Sequence, residues 1–197
     1  MSRYKNKFRV ESARLKNWNY AWSGVYFITI CTKEREYYFG EIHNGKMQLS
    51  EIGKIAEKEW IRTFDIRPDM NLKMCEYVIM PNHIHGIIVI GDNEYNKQGD
   101  KQCRDTMHRV STNINTKFGP QSKNLASIIR GYKSSVTTYA CKNGIDGFKW
   151  QSRFYDHLIR NERSFDKISD YIVNNPKNWE NDELNINNSN YNNEIYQ

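Results

Sequence analysis

Met80-Pro81-Asn82-His83-Ile84-His85-Gly86-Ile87-Ile88-Val89-Ile90 is the stretch around which the rest of the chain falls into place. Val78 to Met80 and Ile87 to Ile90 are apolar at every position, the pattern of a strand buried on both faces. Side chains alternate along a strand, so His83 and His85 share one side of it. Two adjacent imidazoles are costly to bury unless their nitrogens are satisfied. A divalent metal ion would satisfy them, since neutral imidazole is a common ligand. Two histidines hydrogen-bonded at a sheet end would fit the same spacing.

The chain has 197 residues, enough for one domain with a core of its own. Its net charge is +6. The segment from Glu180 to Gln197 holds four acids (Glu180, Asp182, Glu183, Glu194) and no Lys or Arg, which leaves residues 1–179 at +10. So basic a body suggests a polyanionic partner, nucleic acid before membrane. Cys31, Cys75, Cys103 and Cys141 lie far apart with no C-x-x-C, so neither a zinc knuckle nor a disulfide framework is signalled. No apolar run approaches the roughly 20 residues that span a bilayer, and the basic N-terminus lacks the apolar stretch of a signal peptide. A cytoplasmic protein is the simplest expectation.

Residues 1–16 carry six basic side chains against one acid, Glu11, an arm suited to solvent or to phosphates. Val25 to Cys31 is β-branched and aromatic, a buried strand. Two short strands flank His43-Asn44-Gly45, a strong hairpin signal. Ser50 caps a helix whose apolar residues Ile52, Ile55, Ala56, Trp60 and Phe64 recur at helical spacing until Arg67-Pro68 stops it. Leu72 to Met80 forms the next strand, and Pro81 separates it from the histidine strand, its antiparallel neighbour. From Gly91 to Lys123 no period survives, which predicts a long mobile loop. Leu125, Ile128, Ile129, Tyr132, Val136 and Tyr139 then make a tight helical stripe, with Arg130 facing away from it and Lys133 on its flank. Phe148 to Phe154 is aromatic and basic and leads into a strand at Tyr155 to Arg160. Asn161 caps a last helix that turns Phe165, Ile168 and Ile172 inward and stops at Asn174-Asn175-Pro176.

On that helix Tyr171 and Asn175 stand at i and i+4, one turn apart on a shared face. Read alone, they are amphipathic packing and an ordinary helix stop. In combination, His83-Ile84-His85 with Tyr171 and Asn175 resembles the HUH single-tyrosine transposases. The fuller wording is similar to their REP-associated branch. It runs from Tyr26-Phe27-Ile28-Thr29-Ile30-Cys31-Thr32 through Met80-Pro81-Asn82-His83-Ile84-His85-Gly86 to Trp150-Gln151-Ser152-Arg153. It closes with Tyr155-Asp156-His157-Leu158-Ile159-Arg160-Asn161 and Tyr171-Ile172-Val173-Asn174-Asn175-Pro176, covering roughly residues 20 to 179.

The resemblance implies an α+β domain with a ferredoxin-like (RRM-like) antiparallel sheet and helices packed on one face. It implies cleavage and rejoining of single-stranded DNA, hairpin or repeat ends included, through a 5′-phosphotyrosine at Tyr171. His83, His85 and Asn175 would hold Mg²⁺ or Mn²⁺; the family's third position is typically Gln, one methylene longer. Lys133, Arg153 and Arg130 are the expected phosphate contacts, and the protein would act as a monomer or homodimer. The organisation expected is a basic arm at 1–20, a transposase domain at 21–179 with the mobile loop at 91–123, and a disordered acidic tail at 180–197. Two rivals are a metal-dependent phosphohydrolase without a covalent intermediate and a non-catalytic single-strand-binding module. Ile87 stands where the histidine-triad hydrolases need a third histidine, and no H-x-H-x-D-H signature is present.

Overall fold

A computed structural model describes residues 18–96 and 122–188, together with the paired backbone of two short N-terminal strands, β1 (Arg3–Tyr4) and β2 (Lys7–Phe8). Eight-residue runs of β-branched and aromatic side chains form the centre of the sheet. β3 (Gly24–Cys31) pairs antiparallel with β7 (His83–Ile90), register Thr29 to His85 and Cys31 to His83. β6 (Leu72–Ile79) lies outside β7, and β8 (Tyr155–Ile159) lies outside β3. Between β3 and β6 come the hairpin β4 (Gly40–His43) and β5 (Lys46–Leu49), then α1 (Glu51–Asp65); α2 (Leu125–Lys142) precedes β8. The main sheet thus has the order β6-β7-β3-β8 and the succession βαββαβ, the ferredoxin-like arrangement. The expected α+β class and antiparallel sheet are borne out.

Local signals account for the boundaries. Asn44 and Gly45 take φ of 51° and 70°, the left-handed pair that a two-residue hairpin requires. Ser50 Oγ accepts from Gly53 N at 3.1 Å to start α1. Asn124 and Ser127 form a reciprocal capping box on α2.

The two faces of the sheet differ. Tyr26, Ile28 and Ile30 of β3 and Ile84, Ile88 and Ile90 of β7 point to one face, where α1 and α2 bury Trp60, Tyr132, Ile128 and Val136 against them. Gly86 also faces this side: a Cβ there would stand 2.5 Å from Cζ2 of Trp60, so only glycine lets the indole seat on the sheet. On the opposite face Phe27, Val25 and Ile87 meet Phe165, Ile168 and Ile172 of α3 (Glu162–Asn174). The expectation of helices on one face therefore describes α1 and α2, whereas α3 crosses the other face. The cause is the alternation of β7, which sends its odd-numbered residues, both histidines among them, away from α1 and α2.

Three boundaries shift. Trp18, inside the expected arm, packs against the core, and its Nε1 donates to the Tyr26 hydroxyl at 3.1 Å; residues 1–17 of the expected arm are otherwise outside the described residues. Of the expected mobile loop, residues 91–96 form a turn in which buried Asn93 and Asn96 hold the carbonyls of Met70 and Gly91, and residues 97–121 lie outside the described residues. The start of the expected disordered tail is packed. After α3 the chain continues through 3-10 turns over Asn175–Asn181, and Asp182 and Asn185 are buried. An Asn-rich segment without apolar period can still fold when its amides cap backbone groups. Here Asn185 Nδ2 donates to Trp179 O at 2.9 Å, and Leu184 N donates to Asp182 Oδ1 at 2.6 Å. Residues 189–197 lie outside the described residues. No described helix is long and apolar enough to cross a membrane.

Candidate active site

β7 delivers His83 and His85 to the α3 face with ring centroids 4.4 Å apart, 0% and 3% exposed. Burial holds both imidazoles neutral. It lowers His85 to about 3 and pushes His83 well below 6.5, helped there by His85 and the Arg35 charge. Neutral rings with lone pairs are what a metal needs. Nδ1 of His83 lies 2.8 Å from Asn82 Oδ1, and Nδ1 of His85 lies 2.9 Å from Thr29 Oγ1. In both rings Nε2 is the nitrogen left for the cleft.

α3 brings Tyr171 to that nitrogen: its hydroxyl lies 3.1 Å from His85 Nε2. Tyr171 is 46% exposed, half packed against Phe27 and half open to the cleft. Burial and, after it, the Asp182 charge push its hydroxyl up to about 12, so an unassisted phenol here is a poor nucleophile. One turn on, Asn175 is buried, and its Nδ2 donates to Asp182 Oδ2 at 2.9 Å.

Asp182 is the member that sequence reasoning missed. It follows the helix within a segment with no period, so nothing in the spacing signalled it. The structure sets its carboxylate beside the histidines, and one ligand atom from each of His83, His85 and Asp182 lies within 4.8 Å of the others. Two buried acceptors at this place have no hydrogen-bond partner among the described residues, His83 Nε2 and Asn175 Oδ1. The Asp182 carboxylate already accepts from Asn175 Nδ2 and Leu184 N, yet its oxygens keep further lone pairs beside the imidazole nitrogens, a donor set suited to a cation, so the residues present fit a divalent metal. His83, His85 and Asp182 would hold it, with Asn175 Oδ1 alongside.

His85, Tyr171, Asn175 and Asp182 line one side of a cleft of about 1340 Å³, and Arg130, Lys133 and Arg153 line the same cleft. Six of the seven residues singled out from the sequence line this cleft, and the seventh, His83, adjoins it through His85. Lys133 is partly committed: its Nζ donates to the carbonyls of Gln151 and Arg153 at 2.7 and 3.0 Å, fastening the 151–153 loop to α2. Burial lowers its ammonium to about 8. Tyr155, the other tyrosine of the cleft, is 50% exposed at the start of β8. Asp156 turns to the opposite side of that strand and is buried, whereas His157 is exposed, as strand alternation requires.

The ferredoxin-like sheet thus presents a histidine pair to a helix-borne tyrosine. A solved structure of a REP-associated tyrosine transposase bound to a REP hairpin superimposes with a TM-score of 0.53 at 21% identity, covering 84% of this chain and 74% of that one. No protein-family profile matches the chain. An uncharacterized protein of Haemophilus influenzae is 40% identical over 173 residues, 88% of this chain and 91% of its own length. The chain belongs to the family of that protein.

Proposed function

We propose that this protein is a metal-dependent single-stranded DNA transposase or endonuclease that cleaves and rejoins DNA through a tyrosine at the 5′ phosphate. The observation that carries the reading is the 3.1 Å contact between the Tyr171 hydroxyl and His85, beside two unpartnered buried acceptors. A nucleophile next to a cation-seeking pocket, in a cleft that also holds three cationic side chains, suits a phosphodiester. The transposase fold and the +10 body support the same substrate, and the solved relative was bound to a hairpin.

In this reading the Tyr171 oxygen bonds to the scissile phosphorus and the bond to the 3′ oxygen breaks. The phenolic proton leaves the tyrosine, and the 3′ oxygen departs as a hydroxyl. The covalent link keeps the energy of one phosphodiester, so a second strand's 3′-OH can reverse the step with no nucleotide cofactor. A bound Mg²⁺ or Mn²⁺ supplies Lewis-acid polarisation of the phosphate and compensates the charge on the attacking oxygen. Phe27 packs edge-on against the Tyr171 ring and limits its motion, while Arg130 and Arg153 place positive charge along the path of the strand.

Incubation with end-labelled hairpin oligonucleotides carrying single-stranded flanks, with Mn²⁺ or EDTA, tests the reading. A labelled band that survives denaturation and requires the metal supports it. Cleavage without an adduct would indicate a phosphohydrolase, and retention without cleavage would indicate a binding module.

A further inference from the structure

Asn82, in the turn between β6 and β7, is fully buried with every polar atom of its side chain engaged. Its Nδ2 donates to the carbonyl oxygens of Arg35 at 3.0 Å and Leu184 at 2.8 Å. Carbonyl oxygens only accept, so two of them facing one atom identify that atom as the amide nitrogen. The other amide atom is then the oxygen, and it lies 2.8 Å from Nδ1 of His83. An amide oxygen also only accepts, so Nδ1 must carry the hydrogen. Nε2 is buried with no acceptor among the described residues to take a second N–H, which leaves it with its lone pair.

We infer that Asn82 is a positioning residue: its doubly anchored amide fixes the tautomer of His83 and turns an unprotonated Nε2 toward the cleft. The purpose of that tautomer rests on the metal-site reading above, whereas the tautomer itself is a property of the protein alone. Three anchors hold Asn82 in place, one on its backbone and two on its amide. The Asn82 carbonyl accepts from Thr32 N and Thr32 Oγ1, both at 2.9 Å, which ties the turn to the end of β3. The Arg35 carbonyl comes from a turn in which Glu34 and Arg35 both take left-handed φ, 55° and 57°. The Leu184 carbonyl stands two residues beyond Asp182, so the same side chain links the histidine to the segment that bears the carboxylate. His85 supplies an internal contrast. Its Nδ1 partner, Thr29 Oγ1, is a hydroxyl that can donate or accept, so this contact fixes no tautomer.

Long-range proton–nitrogen spectra of the metal-free full chain, labelled with ¹⁵N-histidine at neutral pH, test the inference. His83 is assigned by its loss in His83→Gln. The expected pattern for His83 is protonated Nδ1 and bare Nε2. Asn82→Ala should move it toward the Nε2-protonated form and weaken Mn²⁺ binding, followed by electron paramagnetic resonance, by about 10- to 100-fold. Asn82→Asp keeps the acceptor for His83 while losing both donations, and should preserve the Nδ1-protonated pattern. A residue that only stabilised the turn would lower the melting temperature in both variants without changing the ring. Nε2 protonation in the wild type, or an unchanged pattern in folded Asn82→Ala, overturns the inference. Should Asn82→Ala not fold, the wild-type pattern and that of Asn82→Asp decide. A wild type with the expected tautomer but no Mn²⁺ binding would count against the metal-site reading and leave the role of Asn82 standing.

Discussion

At the scale of single residues the site is a set of buried polar side chains beside an open cleft, and its electrostatics follow from that burial. His85 is held near 3 in the folded protein against about 6.5 in an unfolded chain. As pH falls below 6.5 the unfolded chain takes up the proton first, so stability is full above 6.5 and is lost progressively toward pH 3. The slope from this residue is about 1.4 kcal/mol per pH unit. Denaturant unfolding of the metal-free protein at pH 7 and pH 5 should show that loss, and His85→Gln should reduce it to the share that buried His83 contributes. Asp182→Asn keeps the shape and removes the charge, and should weaken Mn²⁺ binding at least about tenfold. An unchanged titration would take Asp182 out of the ligand set. The shared facing of the histidine pair was legible from the strand period, whereas Tyr171 stood out only through the family resemblance, its place on the helix alone reading as packing; Asp182 was not legible, because it sits in turns, where spacing carries no facing information.

At the scale of elements, the four strands of the main sheet, the β4–β5 hairpin and the three α-helices could be read from pattern, turn and cap signals; what escaped was the pair β1 and β2 in the basic arm and the face on which α3 lies. Period two shows that His83 and His85 share a side, but which helix covers that side depends on the connection between elements. The seating of α1 depends on one missing side chain. Gly86→Ala would set a methyl 2.5 Å from the buried Trp60 ring and should destabilise the protein by about 1–3 kcal/mol, seen as a lower midpoint of unfolding at unchanged slope. The segment after α3 also departs from expectation. Asn82 and Arg35 donate to Leu184 and Glu183, and Tyr37 donates to Asn185 Oδ1. Truncation after Asn181 should therefore lower the melting temperature by several degrees and weaken metal binding, whereas removal of residues 189–197 alone leaves each of these bonds in place. Calorimetry of the two truncations separates the outcomes.

At the scale of the whole molecule, a βαββαβ sheet places a charged cleft between α2, β8 and α3, lined by His85 with His83 buried beside it. The +10 body predicts that DNA affinity falls with salt, by roughly 0.7 log units per decade of salt for each phosphate contact on a single strand. Under the proposed function Arg130 supplies one such contact, so Arg130→Ala should reduce that slope by about one contact's worth without altering the fold. The central claim, however, is covalent: Tyr171 becomes joined to DNA. Its most direct test is mass spectrometry of the full chain after reaction with a hairpin oligonucleotide and Mn²⁺, digested to map the linked residue. The account predicts a phosphotyrosine at Tyr171, absent in Tyr171→Phe, which should still bind the hairpin, and retained in Tyr155→Phe. A linkage mapped to any other residue, or an adduct that persists in Tyr171→Phe, would contradict it.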